Sequence, residues 1–145
     1  MRPELLIQRL DPDLPLPRYA KAGDAGMDIY SRVDTVVAPG ERQLVPSGIA
    51  IALPPGFVAL SVPRSGFALK QGGTLLNSPG VIDAGYRGEI GSIVYNSGAE
   101  DLVIARGDRI AQLLILEIPA VAVTEVSSLP GTQRADGGFG STGKG

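Results

Sequence analysis

Glycine and proline occur along almost the whole chain and separate short runs of apolar residues. The 145 residues include 20 glycines and 12 prolines. Both residue types interrupt helices and favour turns. Because they are dispersed rather than clustered, they indicate turns between short strands, not a disordered segment. This spacing predicts an all-β domain, a sandwich or barrel.

The apolar runs between these turns give the predicted strands. They lie at 5–10, from Met27 to Tyr30, and at 33–37, 43–45, 49–53, 57–62, 90–95, 102–104, 110–116 and 121–126. The segment 63–70 departs from this alternation and predicts one short helix with Ser65 as its N-cap. On hydrophobicity alone, strand 110–116 is also a candidate for a surface between subunits.

Length and composition predict one globular domain. The chain is 43% hydrophobic and 19% charged, and it shows no internal repeats. Residues 134–145 are too rich in glycine to fold alone, which predicts a domain at 1–133 and a flexible arm at 134–145. A net charge of −2 gives no electrostatic argument for binding nucleic acid or a membrane. No membrane-length apolar run or signal-peptide pattern is found, so a cytoplasmic location is expected.

Two missing residue types limit the possible chemistry. The chain has no cysteine and no histidine, which excludes a thiolate nucleophile, a Ser-His-Asp triad and histidine metal sites. A hydrolase built from this sequence would use a carboxylate as its base. Its metal would be a hard, oxygen-binding ion such as Mg²⁺.

The segment 77–89 carries a carboxylate between turn-forming residues. Val81 and Ile82 run directly into Asp83, and Tyr86 follows three residues later. The pattern predicts a tight β-hairpin with an acid near its tip. The backbone of such a hairpin can bind a flat polar ring such as a nucleobase. The residues alone also allow an ordinary hairpin in which Asp83 caps a turn.

Other polar residues admit a ligand-binding or a purely structural interpretation. Around the predicted helix, Arg64 and Ser65 with exposed N–H groups fit an anion site or a simple capped turn. Asp28 fits an ion-pair partner of a nearby cation or a holder of water beside a metal. Gln112, in an apolar strand, requires a hydrogen-bond partner from the backbone or a ligand. The arm combines Arg134 with hydroxyls and Phe139, which fits a lid or a disordered end.

Five segments, in order, resemble the five motifs of the trimeric dUTP pyrophosphatases. They are 22–30, 63–70, 77–89, 107–113 and 134–143, and they include Arg-Ser-Gly, Ile-Asp-Ala-Gly-Tyr-Arg-Gly and Gly-Phe-Gly-Ser-Thr-Gly. The resemblance implies a distorted jelly-roll fold and a homotrimer whose active sites each draw on all three subunits. It also implies Mg²⁺-dependent hydrolysis of dUTP to dUMP and pyrophosphate, which lowers dUTP and supplies dUMP for thymidylate synthesis.

The resemblance assigns roles to individual residues. Asp83 is similar to the base that activates water, and Tyr86 to the residue under the deoxyribose that leaves no room for a 2′-hydroxyl. The remaining implied contacts are Asn77, Gly80, Val81 and Ile82 with uracil; Arg64, Ser65, Gly66 and Gln112 with phosphates; Asp28 with Mg²⁺ through water; Phe139 over uracil; and Arg134, Gly140, Ser141 and Thr142 in the arm that holds the terminal phosphate. One departure is Ala135, where the family commonly has glycine; it leaves the arm's conformation open.

Two other functions fit parts of the sequence. The dCTP deaminases of the same superfamily resemble segment 77–89 but carry a catalytic glutamate about ten residues after the aspartate. Ile93 occupies that place here and cannot transfer a proton. A non-catalytic nucleotide sensor is the other alternative, but a binding protein has no need of a base such as Asp83.

Overall fold

The computed structural model describes residues 2–144 and contains ten strands and one helix. The strands are β1 (Leu6–Arg9), β2 (Gly26–Tyr30), β3 (Thr35–Val37), β4 (Arg42–Ala52), β5 (Phe57–Val62), β6 (Gly73–Leu75), β7 (Gly80–Asp83), β8 (Glu89–Asn96), β9 (Leu102–Ile104) and β10 (Arg109–Glu117); the helix α1 is Ser65–Gln71. Met1 and Gly145, the two ends of the predicted domain and arm, lie outside the described residues.

Two four-stranded antiparallel sheets enclose one hydrophobic core. Their strand orders are β1-β4-β8-β6 and β2-β10-β5-β7, and β3 pairs with β9 in a small third sheet. Strands expose alternate residues to opposite faces, so each sheet contributes one apolar face to the core. The largest fully buried apolar side chains are Ile29, Val45, Ile90, Val94, Ile104, Ile110 and Leu113. The predicted all-β, jelly-roll-like fold with one short helix is confirmed.

Strand β4 is one long strand where the sequence predicted two. Its pairing with β8 shifts register between Pro46 and Ala50. Pro46 cannot donate a ladder hydrogen bond, and Gly48 has a positive φ of 75°, which is typical of a bulge. The bulge interrupts the apolar alternation without ending the strand, and this explains the two-strand prediction.

The predicted hairpin at 77–89 is wrong. β7 pairs with β5, from Val58 opposite Asp83 to Ser61 opposite Gly80, while β8 belongs to the other sheet. The chain between β7 and β8 therefore crosses from one sheet to the other. Turn residues on both sides of a short apolar run show that a strand exists, but they do not show which strand it pairs with.

The predicted last strand at 121–126 is also wrong, because β10 ends at Glu117 and no strand follows it within the described residues. Val121 and Val123 are 74% and 95% exposed. Valine alternation favours a strand only where a neighbouring strand supplies hydrogen bonds and a core supplies contacts. Within the described chain, this segment has neither.

Strand β10 uses most of its apolar residues inside the chain. It lies between β2 and β5, and Ile110, Ala111 and Leu113 are fully buried. Its hydrophobicity is therefore explained mainly by the core of the single chain. A role between subunits is left to its partly exposed residues, such as Leu116.

An ion-pair network ties the loop after β1 to the turn before β10. Arg106 donates to both carboxylate oxygens of Asp11, with Nη2 2.9 Å from Oδ1, and Nε of Arg32 lies 3.7 Å from Oδ2. The hydrogen bond from Arg106 lowers the pKa of Asp11 below its ordinary value of 3.8. The folded state therefore favours the ionised carboxylate.

This lowered pKa predicts a loss of stability in acid. Because the pKa of Asp11 is lower in the folded state, its contribution is complete above about pH 4 and falls as the carboxyl protonates at lower pH. We expect Asp11→Asn to lower the melting temperature at pH 7, and the difference from wild type to shrink towards pH 3. Thermal melts across this range test it; a constant difference would contradict it.

Candidate active site

A pocket of about 200 Å³ opens between the ends of β7 and β8. We call it the base pocket. Its lining residues are Ser61, Leu75, Asn77, Gly80, Val81, Ile82, Asp83, Tyr86, Glu89, Ile90, Gly91 and Ser92. Six of them are residues that the sequence assigned to the base, the sugar or catalysis, so the fold brings these six together.

The local chain course places Asn77 and the β7 backbone at this pocket. β6 ends at Leu75, a turn carries Asn77, and β7 begins at Gly80 after a cis Ser78–Pro79 peptide. A Cβ on Gly80 would lie 3.5 Å from Nδ2 of Asn77. Glycine at this position leaves that space among the lining atoms free for a ligand.

Alternation along β7 separates the catalytic candidate from the core. Gly80 and Ile82 are buried, whereas Val81 and Asp83 are exposed on the opposite face. Asp83 ends the strand, and its carbonyl accepts a 3.1 Å hydrogen bond from the N–H of Tyr86. This turn holds Asp83 and Tyr86 close together in the chain, and both line the base pocket.

Two neighbouring residues, Glu89 and Gly88, contact the Tyr86 side chain. Its hydroxyl donates to the carbonyl of Glu89 at 3.2 Å. A Cβ on Gly88 would lie 2.3 Å from that hydroxyl oxygen, so the ring lies directly over the glycine. The Glu89 carboxylate in turn accepts from Arg32 at 2.8 Å and from the N–H of Gly48 at 3.0 Å.

A second group, which we call the charged cluster, forms where β2, β10 and the start of α1 meet. Nε of Arg64 lies 2.8 Å from Oδ1 of Asp28, and Nη1 of Arg109 lies 3.5 Å from Oδ2. Gln112, paired with Asp28 in the sheet, donates from Nε2 to the carbonyl of Pro63 at 3.1 Å. Gln112 thus has a backbone partner, one of the two kinds of partner expected for an amide in an apolar strand.

The N-cap of α1 lies one residue earlier than predicted. Arg64 occupies the N-cap position and makes no side-chain cap, while Ser65 is the first helical residue. Ser65 and Gly66 are both exposed, beside the charged cluster. The first N–H groups of a helix have no intrahelical acceptor, so this end presents donors next to Arg64.

The arm stands apart from both groups. Phe139 is fully exposed and has a φ of 51°, and Ala135 has a φ of 50°. Alanine in this left-handed region costs about 1–2 kcal/mol. Arg134 donates from Nε to the carbonyl of Gly137 at 2.7 Å. None of the described residues of the arm, Gly140, Ser141 and Thr142 among them, lines the base pocket.

Sequence reasoning missed three residues of interest. Arg109 contacts Asp28, and its place in the charged turn before β10 was the available signal. Ser61 and Ser92 line the base pocket, but a serine within an apolar strand gives no local signal of what it faces.

The acidic residues fit only a metal site in which the protein supplies a single carboxylate. Across residues 2–144, no group of three or more His, Cys, Asp or Glu side chains could hold an ion. The charged cluster offers a single carboxylate, Asp28, beside two arginines. Such a site suits Mg²⁺ that keeps several waters and takes its other ligands from substrate phosphates.

Within residues 2–144, no helix has the length and apolar content needed to cross a membrane.

Comparison with known proteins gives consistent matches. The dUTPase family model matches residues 13–143. The deoxyuridine 5′-triphosphate nucleotidohydrolase of Streptomyces coelicolor is 52% identical over 141 residues, covering 97% of this chain and 77% of that protein. The enzyme of the same name from Mycolicibacterium gilvum is 50% identical over 149 residues, covering 99% and 97%.

Solved structures agree. A point mutant of the Staphylococcus bacteriophage 80alpha dUTPase with dUpNHpp has a TM-score of 0.90 at 27% identity, covering 97% of this chain and 99% of that one. A mutant dUTPase from phage phi11 of S. aureus, described with a structural Mg(II) ion, has a TM-score of 0.81 at 25% identity, covering 88% and 99%. With a family model spanning most of its length and relatives at half identity, this chain belongs to the dUTPase family, the enzymes that hydrolyse dUTP.

Proposed function

We propose that this chain hydrolyses dUTP to dUMP and pyrophosphate with Asp83 as the base, the base pocket as the uracil site and the charged cluster as the phosphate site. The observation that carries the proposal is the convergence of Asn77, the backbone of β7, Asp83 and Tyr86 on one pocket. A flat ring there meets an amide side chain and peptide groups at a fixed spacing. The carboxylate lies at the edge of the same pocket.

In this proposal Asp83 activates water, which is a poor nucleophile on its own. An ionised carboxylate within hydrogen-bond reach of a water accepts its proton as the water oxygen bonds to the first phosphorus of the triphosphate. The bond between the first and second phosphates breaks, and its electrons leave with pyrophosphate. Arg64 and the N–H groups at the start of α1 stabilise the negative charge that develops on the leaving group. No covalent intermediate with the protein is required.

Asp28 would hold Mg²⁺ through water. Bound there, the ion would supply positive charge against the negative charge of the triphosphate. The ion pairs from Arg64 and Arg109 hold Asp28 in place beside the phosphate site. Arg64 thus both positions Asp28 and offers its remaining donors to phosphate oxygens.

We place the complete site between subunits of a homotrimer. In one chain the charged cluster contributes no residue to the base pocket within the described residues, and the two lie on opposite sides of β5, beside β10 and β7 respectively. Within residues 2–144, the arm supplies no lining residue of the base pocket and no partner in the ion pairs of the charged cluster. An assembly that joins the pocket of one subunit to the cluster of a second and the arm of a third brings all three parts together.

Mixed trimers test this arrangement. Asp83→Asn and Arg64→Gln are each expected to be inactive alone. If one site uses residue 83 of one subunit and residue 64 of another, refolding the two variants together at equal amounts restores about a quarter of the sites. Sedimentation should show three chains per particle. No restored activity in verified mixed trimers would mean that both residues act from the same subunit.

Sugar discrimination tests the role of Tyr86. Its ring is held against Gly88 and Glu89 and leaves no room for a 2′-hydroxyl in the proposed complex. We expect Tyr86→Ala to reduce the preference for dUTP over UTP, measured as the ratio of kcat/KM values, by about 10-fold or more. Tyr86→Phe keeps the ring and should retain most of the preference. An unchanged ratio in Tyr86→Ala would exclude this role.

Deamination is not favoured. Ile93 lies in β8, where its carbonyl accepts a hydrogen bond from the N–H of Leu76 at 2.9 Å, and it carries no acid where the deaminases need one. A purely non-catalytic sensor is not favoured either, because Asp83 stands exposed at the pocket edge with its carboxylate available. Pyrophosphate release from dUTP, with ammonia release from dCTP as the comparison, separates the three functions.

A further inference from the structure

Two buried hydroxyl groups in the base pocket have no protein partner. Ser61 and Ser92 are only 3% and 1% exposed, and within the described residues neither Oγ makes a hydrogen bond. Both serines line the base pocket. A buried hydroxyl without a partner destabilises a folded chain, and most buried polar atoms are therefore satisfied.

The other buried polar side chains follow that rule. Ser31 donates to the carbonyl of Val33 at 2.6 Å, and Ser47 donates to the carbonyl of Ile90 at 2.5 Å. The amide of Asn96 donates to two backbone carbonyls. The unsatisfied hydroxyls are thus confined to the one cavity that the substrate base is proposed to enter.

The two serines approach the pocket from different sheets. Ser61 lies on β5 opposite Gly80, and Ser92 lies on β8 opposite Val45. A Cβ on Gly80 would lie 3.5 Å from Cβ of Ser61; glycine there leaves Ser61 uncovered on the pocket side. Each hydroxyl can both donate and accept.

We propose that Ser61 and Ser92 form a second hydrogen-bonding subsite in the base pocket, which binds the pyrimidine directly or through one ordered water. This inference rests on the proposed binding of the base in this pocket. Asn77 and the backbone of β7 contact one part of the ring, and the hydroxyls provide partners elsewhere in the same cavity. Ligand binding satisfies two groups that the free chain leaves unpaired.

This arrangement predicts opposite effects on binding and on stability. We expect Ser61→Ala and Ser92→Ala each to raise the KM for dUTP by about fivefold, with kcat changed by less than about twofold, because one hydrogen bond to the bound base is lost. The melting temperature of the free protein should stay unchanged or rise, because each variant removes an unsatisfied buried hydroxyl. A purely structural serine would not give this combination.

Ser31→Ala is the matched control. Its hydroxyl is buried and already bonded to Val33, far from the base pocket in sequence and absent from its lining. We expect a lower melting temperature and an unchanged KM. Unchanged KM values in both Ser61→Ala and Ser92→Ala would overturn the subsite.

Asn77→Ala separates this inference from the proposed function. A raised KM in Asn77→Ala with unchanged KM in both serine variants would keep the base in this pocket and reject the hydroxyl subsite. Unchanged KM in all three would reject the pocket itself. A crystal structure with a non-hydrolysable dUTP analogue distinguishes direct contact from a bridging water, and two hydroxyls still unpaired in that complex would also overturn the subsite.

Discussion

Asp83→Asn will lower dUTP hydrolysis by about 10²–10⁴-fold while nucleotide binding stays within about tenfold of wild type. Asparagine keeps the size and most of the hydrogen-bonding capacity of aspartate but cannot accept the proton of the attacking water. Asp83 is exposed at the end of β7, and within residues 2–144 its carboxylate makes no ion pair with another side chain. The substitution should therefore leave the fold intact.

Pyrophosphate release measures the rate, and calorimetric titration with a non-hydrolysable dUTP analogue measures binding. Asp101→Asn is a matched control, because Asp101 is another exposed aspartate that is not among the pocket-lining residues. It should turn over dUTP like wild type. Near-native turnover in Asp83→Asn would remove Asp83 from the mechanism.

Deleting residues 134–145 will lower hydrolysis by at least about tenfold and leave the melting temperature unchanged. The arm makes its described backbone hydrogen bonds within itself, such as that from Ser141 to Gly138, and Phe139 is fully exposed. The folded body therefore loses little when the arm is removed. Catalysis loses the groups proposed to hold the terminal phosphate and exclude water.

Closing the arm over the bound nucleotide has an entropic cost that contacts with the nucleotide must offset. Ordering a flexible segment costs about 1–2 kcal/mol per residue in backbone entropy, so stacking of Phe139 on uracil and hydrogen bonds from Arg134 must offset it. Closure should then depend on the whole triphosphate, and the truncated protein should still bind dUMP weakly. Deleting only residues 144–145 is the control and should have no effect. Full activity without 134–145 would show that the arm is not a lid.

Much of the local structure follows from short-range patterns. Short apolar runs located β2, β5 and β9, and dispersed glycine and proline indicated many turns. Both signals are local, because each depends on only a few consecutive residues. Partner choice is not local, and for this reason the hairpin at 77–89 and the strand at 121–126 were wrong.

The candidate site divides in the same way. Sequence alone restricted which residue types can carry the chemistry: without cysteine or histidine, the base of a hydrolase would be a carboxylate. Asp83 and its proposed companions come from the resemblance of five ordered segments to the family motifs. Only the tertiary structure decided which of these side chains lie in contact with one another. It paired Asp28 with Arg64 and Arg109, which lie on three separate segments. It also placed Ser61 and Ser92, from two different sheets, at one cavity where their hydroxyls have no hydrogen-bond partner. Hydrogen-bond satisfaction is a property of the packed chain, because a serine's burial and its neighbours exist only after the two sheets close over it.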